Sequence, residues 1–492
     1  MPPWFSVLRH SSKAHAIEKR FPKRNIKFAW FGSAPEAGGS GRKPKQRANS
    51  SLMQYSKYYT VMADGTIKQI NPFTDNEVWS VPGRAGKPEP NGNALHASPL
   101  KPSDFTEYCA FCSDRLFETP PEKARLIRNP DGSFVRADRV PPSQMPGMPW
   151  LFRRVPNLFE IVTVDYWKRN YSYVLSPPNL EWKKMYLSDP EGNRHVHEIL
   201  EYKLRASGMP EERFHKIPET ELLTMSDTFF GGGHELIIAS PHFRNGATDA
   251  SELFSSGDMT PEEHYQYVRF TIDAMTDIFA ANRYIRYISV FQNWLPPAGA
   301  SFDHLHKQLV GIDDWGASIR HQVDMLRQDP NVFNGLGANL AGMQNLIFAE
   351  NEHAVAWAGI GHRHPTIEVH SKSYFSRPYE QSNDEIRAMS DLVHACHAAT
   401  GSAISSNEEW YYTPVDAVYQ MPWHILIKWR VNTAAGFEGG TSIYINPIAP
   451  LEVRDRVVTN LYRLRDEGRV ASNIRIAEEC EIRPNPLRYY LE

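Results

Sequence analysis

The chain has 492 residues, 41% of them hydrophobic and 12% aromatic, enough to bury a large core spread over two or more packed units. No apolar run reaches the roughly 18 residues that a membrane helix needs, and four cysteines are too few for a disulfide scaffold of this size, so a protein of the reducing cytoplasm without a membrane partner is expected. The formal net charge of −3 is unevenly spread: residues 1–50 hold eleven Lys or Arg against Glu18 and Glu36, which leaves an acidic body that argues against nucleic acid as a partner.

The basic leader, residues 1–52, lacks the sustained apolar stretch of a secretory signal. A transit peptide, a nucleic-acid arm and a disordered extension share its composition; the missing apolar periodicity favours a disordered or extraneous leader, with Met53 or Met62 as alternative starts. Residues 53–226 read as an N-terminal wrap. It contains short strand-like pieces ("YTVM", "EVWSV"), Cys109 and Cys112 in "CAFC", a hairpin around "NPDGSF", and "RVPNLF" at 154–159. In "YLSDPEGNRHVHEILEYKLRAS" a loop precedes a helix, and His195 and His197 are expected on its surface.

From residue 227 the pattern becomes regular. "HELIIAS" predicts a strand, 259–283 a helix capped by Thr260 with Pro261 at its first position, 284–294 a strand, and "FDHLHKQLVGI" another. Then 364–372, a helix in 382–400, "EEWYYTP" and "MPWHILIKWR" repeat that order. The expected fold is therefore α+β, a duplicated unit (227–345 and 346–492) with an antiparallel sheet and helices packed on it.

Strand alternation puts His304, His306 and Gln308 on one face of "FDHLHKQ", where they would converge on one site, and turns Lys307 to the other, where its charge is expected to be solvated. The CxxC offers two thiolates on a tight turn, suited to a tetrahedral zinc that needs two more ligands; His304 and His242 are the candidates.

The stretch "FQNWLPPAGASFDHLHKQ", residues 291–308, resembles the active-site segment of galactose-1-phosphate uridylyltransferases, a family of the histidine-triad superfamily. Asn293, Gly299, Ser301, His304, His306 and Gln308 match it in type and spacing. "CAFC" resembles the family's zinc pair, "IIASPHF" its strand ending in a zinc histidine, "RVPNLF" its nucleotide-binding segment, and "GFEGGTSIYINPIAP" its hexose-phosphate loop. The resemblance implies that His306 attacks phosphorus and carries a uridylyl group, with Ser301 and Gln308 at the phosphoryl oxygens and the Gly299 turn allowing close approach. It implies Asn157 and Asn293 on the nucleotide, Thr441 and Asn446 on the hexose, and one structural zinc held by Cys109, Cys112, His242 and His304. The reaction so implied belongs to galactose metabolism: UMP moves between UDP-hexose and hexose 1-phosphate, with nucleotide sugars and sugar phosphates as the small-molecule partners and a homodimer as the assembly. A phosphorylase of a dinucleoside polyphosphate or nucleotide sugar is the alternative, and a non-catalytic nucleotide-binding module a further one. The sequence departs from the family at Leu305, where Pro is usual and which related phosphorylases share, and at Lys307, where a small residue is usual. His242 stands one residue earlier than the family's zinc histidine. Tyr411 and Leu426 replace two histidines of a second metal site that some members carry, leaving His424 alone, so no second metal is expected.

Overall fold

A computed structural model describes residues 55–84 and 98–490, so the leader expected over 1–52 lies outside the described residues. Strands β1 (Tyr59–Val61), β2 (Ile67–Ile70) and β3 (Glu77–Ser80) form an antiparallel meander in the segment expected to be an irregular wrap. Next come β4 (Ala124–Arg128), β5 (Phe134–Asp138), β6 (Phe152–Pro156), β7 (His234–Ala239), β8 (Tyr287–Trp294) and β9 (His306–Ile312). The second set is β10 (Ile347–Glu350), β11 (Ala354–Ala358), β12 (Thr366–Ser371), β13 (Ser406–Tyr411) and β14 (His424–Trp429), followed by β15 (Ile443–Ile445) and β16 (Arg475–Ile476).

Twelve of these strands make one antiparallel sheet in the order β16-β10-β11-β12-β14-β13-β8-β9-β7-β6-β4-β5, and β15 joins β3 in parallel in a smaller one. Read outward from the central β8/β13 pair, the large sheet runs β8, β9, β7, β6, β4 on one side and β13, β14, β12, β11, β10 on the other. These five-strand series correspond element for element, as a duplicated unit requires. Only the outermost strands break the repeat, because β5 is the hairpin partner of β4 whereas β16 comes from the C-terminal end. The strands β4 to β6 precede residue 227 and belong to the same sheet as the rest of the first half.

The helices Pro261–Ala281 and Asn383–Thr400 are also equivalent and pack on each other. Each begins at a capping box, Thr260 with Glu263 and Ser382 with Glu385, which satisfies two of the otherwise unpaired amide groups of the first turn. Tyr267, Thr271, Met275 and Ile278 lie on the buried side of the first helix at a spacing of three or four, so one stripe meets the sheet and its partner helix. "DPEG" does not form a loop. Asp189 caps a helix over Pro190–Ala206 by accepting from the amides of Glu191 and Gly192, directly after the helix Pro177–Ser188.

Two expectations about exposure are corrected. His195 is buried, donating from Nε2 to the Thr119 carbonyl (2.9 Å) and accepting at Nδ1 from the Tyr186 hydroxyl (2.7 Å), while His197 is half-buried beside Glu219. Lys307 is fully buried against Glu408, because the face of β9 away from His306 is covered by the two paired helices instead of solvent.

Candidate active site

The segment expected to be a strand throughout 302–308 becomes one only at His306; His304 sits in the bend before it. That bend separates the two histidines, so His304, His306 and Gln308 do not converge on a single point. The Nε2–H of His304 donates to the Ala239 carbonyl at the end of β7 (2.7 Å), which leaves the Nδ1 lone pair facing Cys109 and Cys112. His242, three residues beyond β7, meets the same thiols, so the one-residue offset from the family spacing is absorbed in the turn after β7.

The four ligand atoms fit one ion. Zinc–sulfur bonds of about 2.3 Å and zinc–nitrogen bonds of about 2.0 Å give tetrahedral edges of about 3.8 Å between sulfurs and about 3.5 Å from sulfur to nitrogen. The two Sγ atoms are 3.8 Å apart, and the sulfur to Nδ1 distances are 3.4 and 3.4 Å from Cys109 and 3.5 and 3.8 Å from Cys112. Zinc held there by four protein ligands has no open position and would act structurally, fixing the turn before β9.

His306 is 5% exposed, under the edge of the Phe111 ring, and Phe111 stacks at a tilt on Phe302. Its Nδ1–H donates to the His304 carbonyl at 2.8 Å. Burial pushes the imidazole down to about 4, so at neutral pH it is uncharged and carries its lone pair on Nε2. The turn that fixes His304 thus also sets the tautomer and direction of the neighbouring ring.

Gln308 is fixed from β7. The Ile161 amide donates to His234 Nδ1 (3.1 Å), so the ring proton sits on Nε2, which points at Gln308 Oε1 (3.1 Å). With its oxygen engaged, the Gln308 amide keeps its two N–H donors for a ligand. Asn157 Oδ1 accepts from the Phe159 amide (2.9 Å), which leaves its side-chain nitrogen 3.1 Å from His234 Nε2; both atoms carry protons, so the two residues are neighbours without a hydrogen bond, and Asn157 lies beside the His234–Gln308 pair. His234 was not foreseen: it has no motif around it, and only its cross-strand place opposite Val310 brings it here.

On the other flank, Asn293 Oδ1 accepts from Asn407 Nδ2 (2.8 Å), which also donates to the Ala298 carbonyl (2.7 Å). This ties the loop after β8 to β13. Gly299 has φ +87°, a left-handed conformation that a side chain would strain, and Ser301 is exposed just beyond it. Thr441 and Asn446 lie in the other half: Thr441 Oγ1 donates to the Phe437 carbonyl (2.7 Å), and Asn446 Nδ2 to the His362 carbonyl (3.3 Å).

A family model matches residues 62–489. The chain belongs to that family, described as a domain of unknown function, DUF4921. No curated protein matches the sequence. Among solved structures, an ADP-glucose phosphorylase from Arabidopsis thaliana with bound ADP-glucose is similar at TM-score 0.50 and 18% identity, covering 80% of this chain and 98% of its own. A GalT-like protein from Arabidopsis thaliana gives 0.48 and 17% over 80% and 98% of the two chains, and a uridylyltransferase mutant 0.43 and 14% over 69% and 99%. At these identities the likeness is one of fold: this DUF4921 chain has the architecture of ADP-glucose phosphorylase, an α+β sheet with helices packed on it.

Proposed function

We propose that the chain is a nucleotidyltransferase that carries a nucleotidyl group on His306, moving UMP between UDP-hexose and hexose 1-phosphate. The observation that carries this reading is the state of His306: a neutral ring with Nδ1–H held by the His304 carbonyl and Nε2 left as the nucleophile, on the same strand as a Gln308 whose donors are free. Nε2 attacks the α-phosphorus of the donor and forms an N–P bond. The bond from that phosphorus to the bridging oxygen breaks, and hexose 1-phosphate leaves with the electron pair. In the second half-reaction a phosphate oxygen of the incoming hexose 1-phosphate attacks the same phosphorus and the N–P bond breaks, restoring the imidazole. As positive charge develops on the ring, the Nδ1–H bond to the carbonyl strengthens. Gln308 and Ser301 supply donors to the phosphoryl oxygens, and Asn157 and Asn293 hold the nucleotide. A zinc at the four-ligand site would enter none of these steps; it would hold His304 and, through the His304 carbonyl, the His306 ring.

A phosphorylase, with inorganic phosphate as acceptor, is favoured by Leu305 and by the position of Asn446 beside His362 and of Thr441 on the Phe437 carbonyl, in the half that does not carry His306. The likeness in fold to an ADP-glucose phosphorylase supports this alternative. One experiment separates the two. The enzyme is incubated with UDP-glucose or ADP-glucose labelled in the α-phosphate, the labelled protein is isolated, and galactose 1-phosphate, glucose 1-phosphate or phosphate is added. The transferase reading expects label from UDP-glucose that hexose 1-phosphates discharge faster than phosphate does; faster discharge by phosphate selects the phosphorylase. Absence of label from either donor in wild type, or equal label in His306→Asn, overturns both.

A further inference from the structure

His424 occupies in the second half the place that His306 holds in the first. Each opens its strand, His306 opposite Ile238 of β7 and His424 opposite His370 of β12, the strand equivalent to β7. Each donates Nδ1–H to the carbonyl two residues earlier at 2.8 Å, His306 to His304 and His424 to Pro422. The surroundings differ. Whereas Phe111 lies over His306, His424 borders a cavity of about 250 Å³ between β12, β13 and β14, the β2–β3 turn and the helix Ala317–Gln328.

The floor of this cavity is rich in acceptors. With its proton on Nδ1, His424 presents a lone pair at Nε2, and burial holds the ring neutral. His370 directs Nε2–H to Glu368 (3.0 Å), which makes its Nδ1 an acceptor, and that buried atom has no partner. Gln322 Oε1, also buried on a residue lining the cavity, has none either. Buried acceptors without donors are costly, and a ligand with several hydroxyl groups supplies what they lack. At the rim stands Arg363, exposed, with Nε and Nη2 donating to Asn76 Oδ1 (3.2 and 3.1 Å) and, among the described residues, no carboxylate paired with it. A metal ion is a poor match: no three ligand atoms of His362, Glu368, His370 and His424 come within 4.8 Å of one another. Leu426 stands where Gln308 stands in the first half, so no side-chain amide is there to stabilise a transferring phosphoryl group.

We propose that the second half holds a binding pocket for a sugar phosphate, its hydroxyls donating to His424, His370 and Gln322 and its phosphate meeting Arg363, and that this pocket binds without catalysing transfer. The inference does not depend on the reaction assigned to His306. It is tested on the full chain by equilibrium dialysis with labelled glucose 1-phosphate, with inorganic phosphate and AMP as competitors, in wild type, Arg363→Gln, Thr74→Glu and His424→Gln. Thr74 is exposed on the cavity wall, so Thr74→Glu sets a negative charge against the phosphate without disturbing the core. Expected is a saturable class of sites weakened at least tenfold by each variant, while covalent labelling of His306 is unchanged in Arg363→Gln and Thr74→Glu. If His306 proves inert, the same loss in the variants still supports the pocket. Binding insensitive to Arg363→Gln and Thr74→Glu, competition by inorganic phosphate as effective as by unlabelled glucose 1-phosphate, or occupation by a divalent metal instead would overturn it.

Discussion

Lys307 and Glu408 form an ion pair buried at the centre of the molecule, joining β9 of the first half to β13 of the second. Burial raises the Glu408 carboxyl, but the Lys307 charge and the His397 hydrogen bond (2.7 Å) outweigh it and hold the group ionised. The Trp410 indole donates to the same carboxylate (2.5 Å), and the Lys307 ammonium lies over the Tyr267 and Trp410 rings.

Removing one partner leaves a charge in a dry interior, whereas removing both does not. Lys307→Met is therefore expected to lower unfolding stability by about 3–5 kcal/mol, and Lys307→Met with Glu408→Gln to recover much of that loss. Urea denaturation of the two singles and the double checks this. A Lys307→Met protein within about 1 kcal/mol of wild type would show that the pair adds little.

His234 touches no substrate in the proposed reaction; it acts through Gln308. His234→Phe keeps a ring but drops the proton that engages Gln308 Oε1, leaving the amide to rotate. A misplaced donor costs up to about 100-fold in the step it assists. The rate of nucleotidyl-enzyme formation should fall by about that factor, with KM for the donor nearly constant, and His234→Gln, which keeps an N–H in reach, should recover part of it. If His234→Phe raises KM and leaves kcat intact, the residue binds nucleotide and does not position Gln308.

The zinc set predicts coupled losses. Cys112→Ser should lower bound zinc, measured by elemental analysis, together with the melting temperature, because a structural ion is linked to folding. Nucleotidyl labelling should fall too, since the His304 carbonyl holds His306 Nδ1–H. Wild-type protein purified free of chelators and lacking zinc would refute the assignment.

What could be read from the sequence follows from how local the signals are. Cysteines and histidines in ligand sets are few in type and demanding in geometry, so Cys109, Cys112, His242 and His304 could be grouped before the fold was known, even with His242 out of register. The two helices, the first with its Thr260 cap, and the repeat of strand, helix and strands were likewise visible. Lys307 was misjudged because alternation tells which face a side chain takes but not whether a helix pair covers that face. His234 was missed because its role comes from pairing between strands more than seventy residues apart. The cavity at His424 was hidden for a similar reason, its walls coming from residues as distant as Asn71 and Lys428.

His195 gives the last test, since it is buried where a surface ring was expected. Burial pushes the imidazole down to about 4; nearby Arg153 adds to this and the Thr119 carbonyl opposes it. In the unfolded chain the ring titrates near about 6.5. As pH falls below that value the unfolded state takes up a proton that the folded state refuses, so stability is lost progressively between about 6.5 and 4. At about 1.4 kcal/mol per pH unit, this one group accounts for at most about 3.5 kcal/mol across the window. Other buried histidines add to the same acid limb, so the measurement is a difference between proteins. His195→Gln can still donate to Thr119 and accept from Tyr186, yet does not titrate. Unfolding free energies at pH 7 and pH 4.5 should differ by about 2 kcal/mol less in His195→Gln than in wild type. Equal differences would mean that His195 gains its proton without unfolding, through a local opening between the helix Pro190–Ala206 and the Thr119 turn.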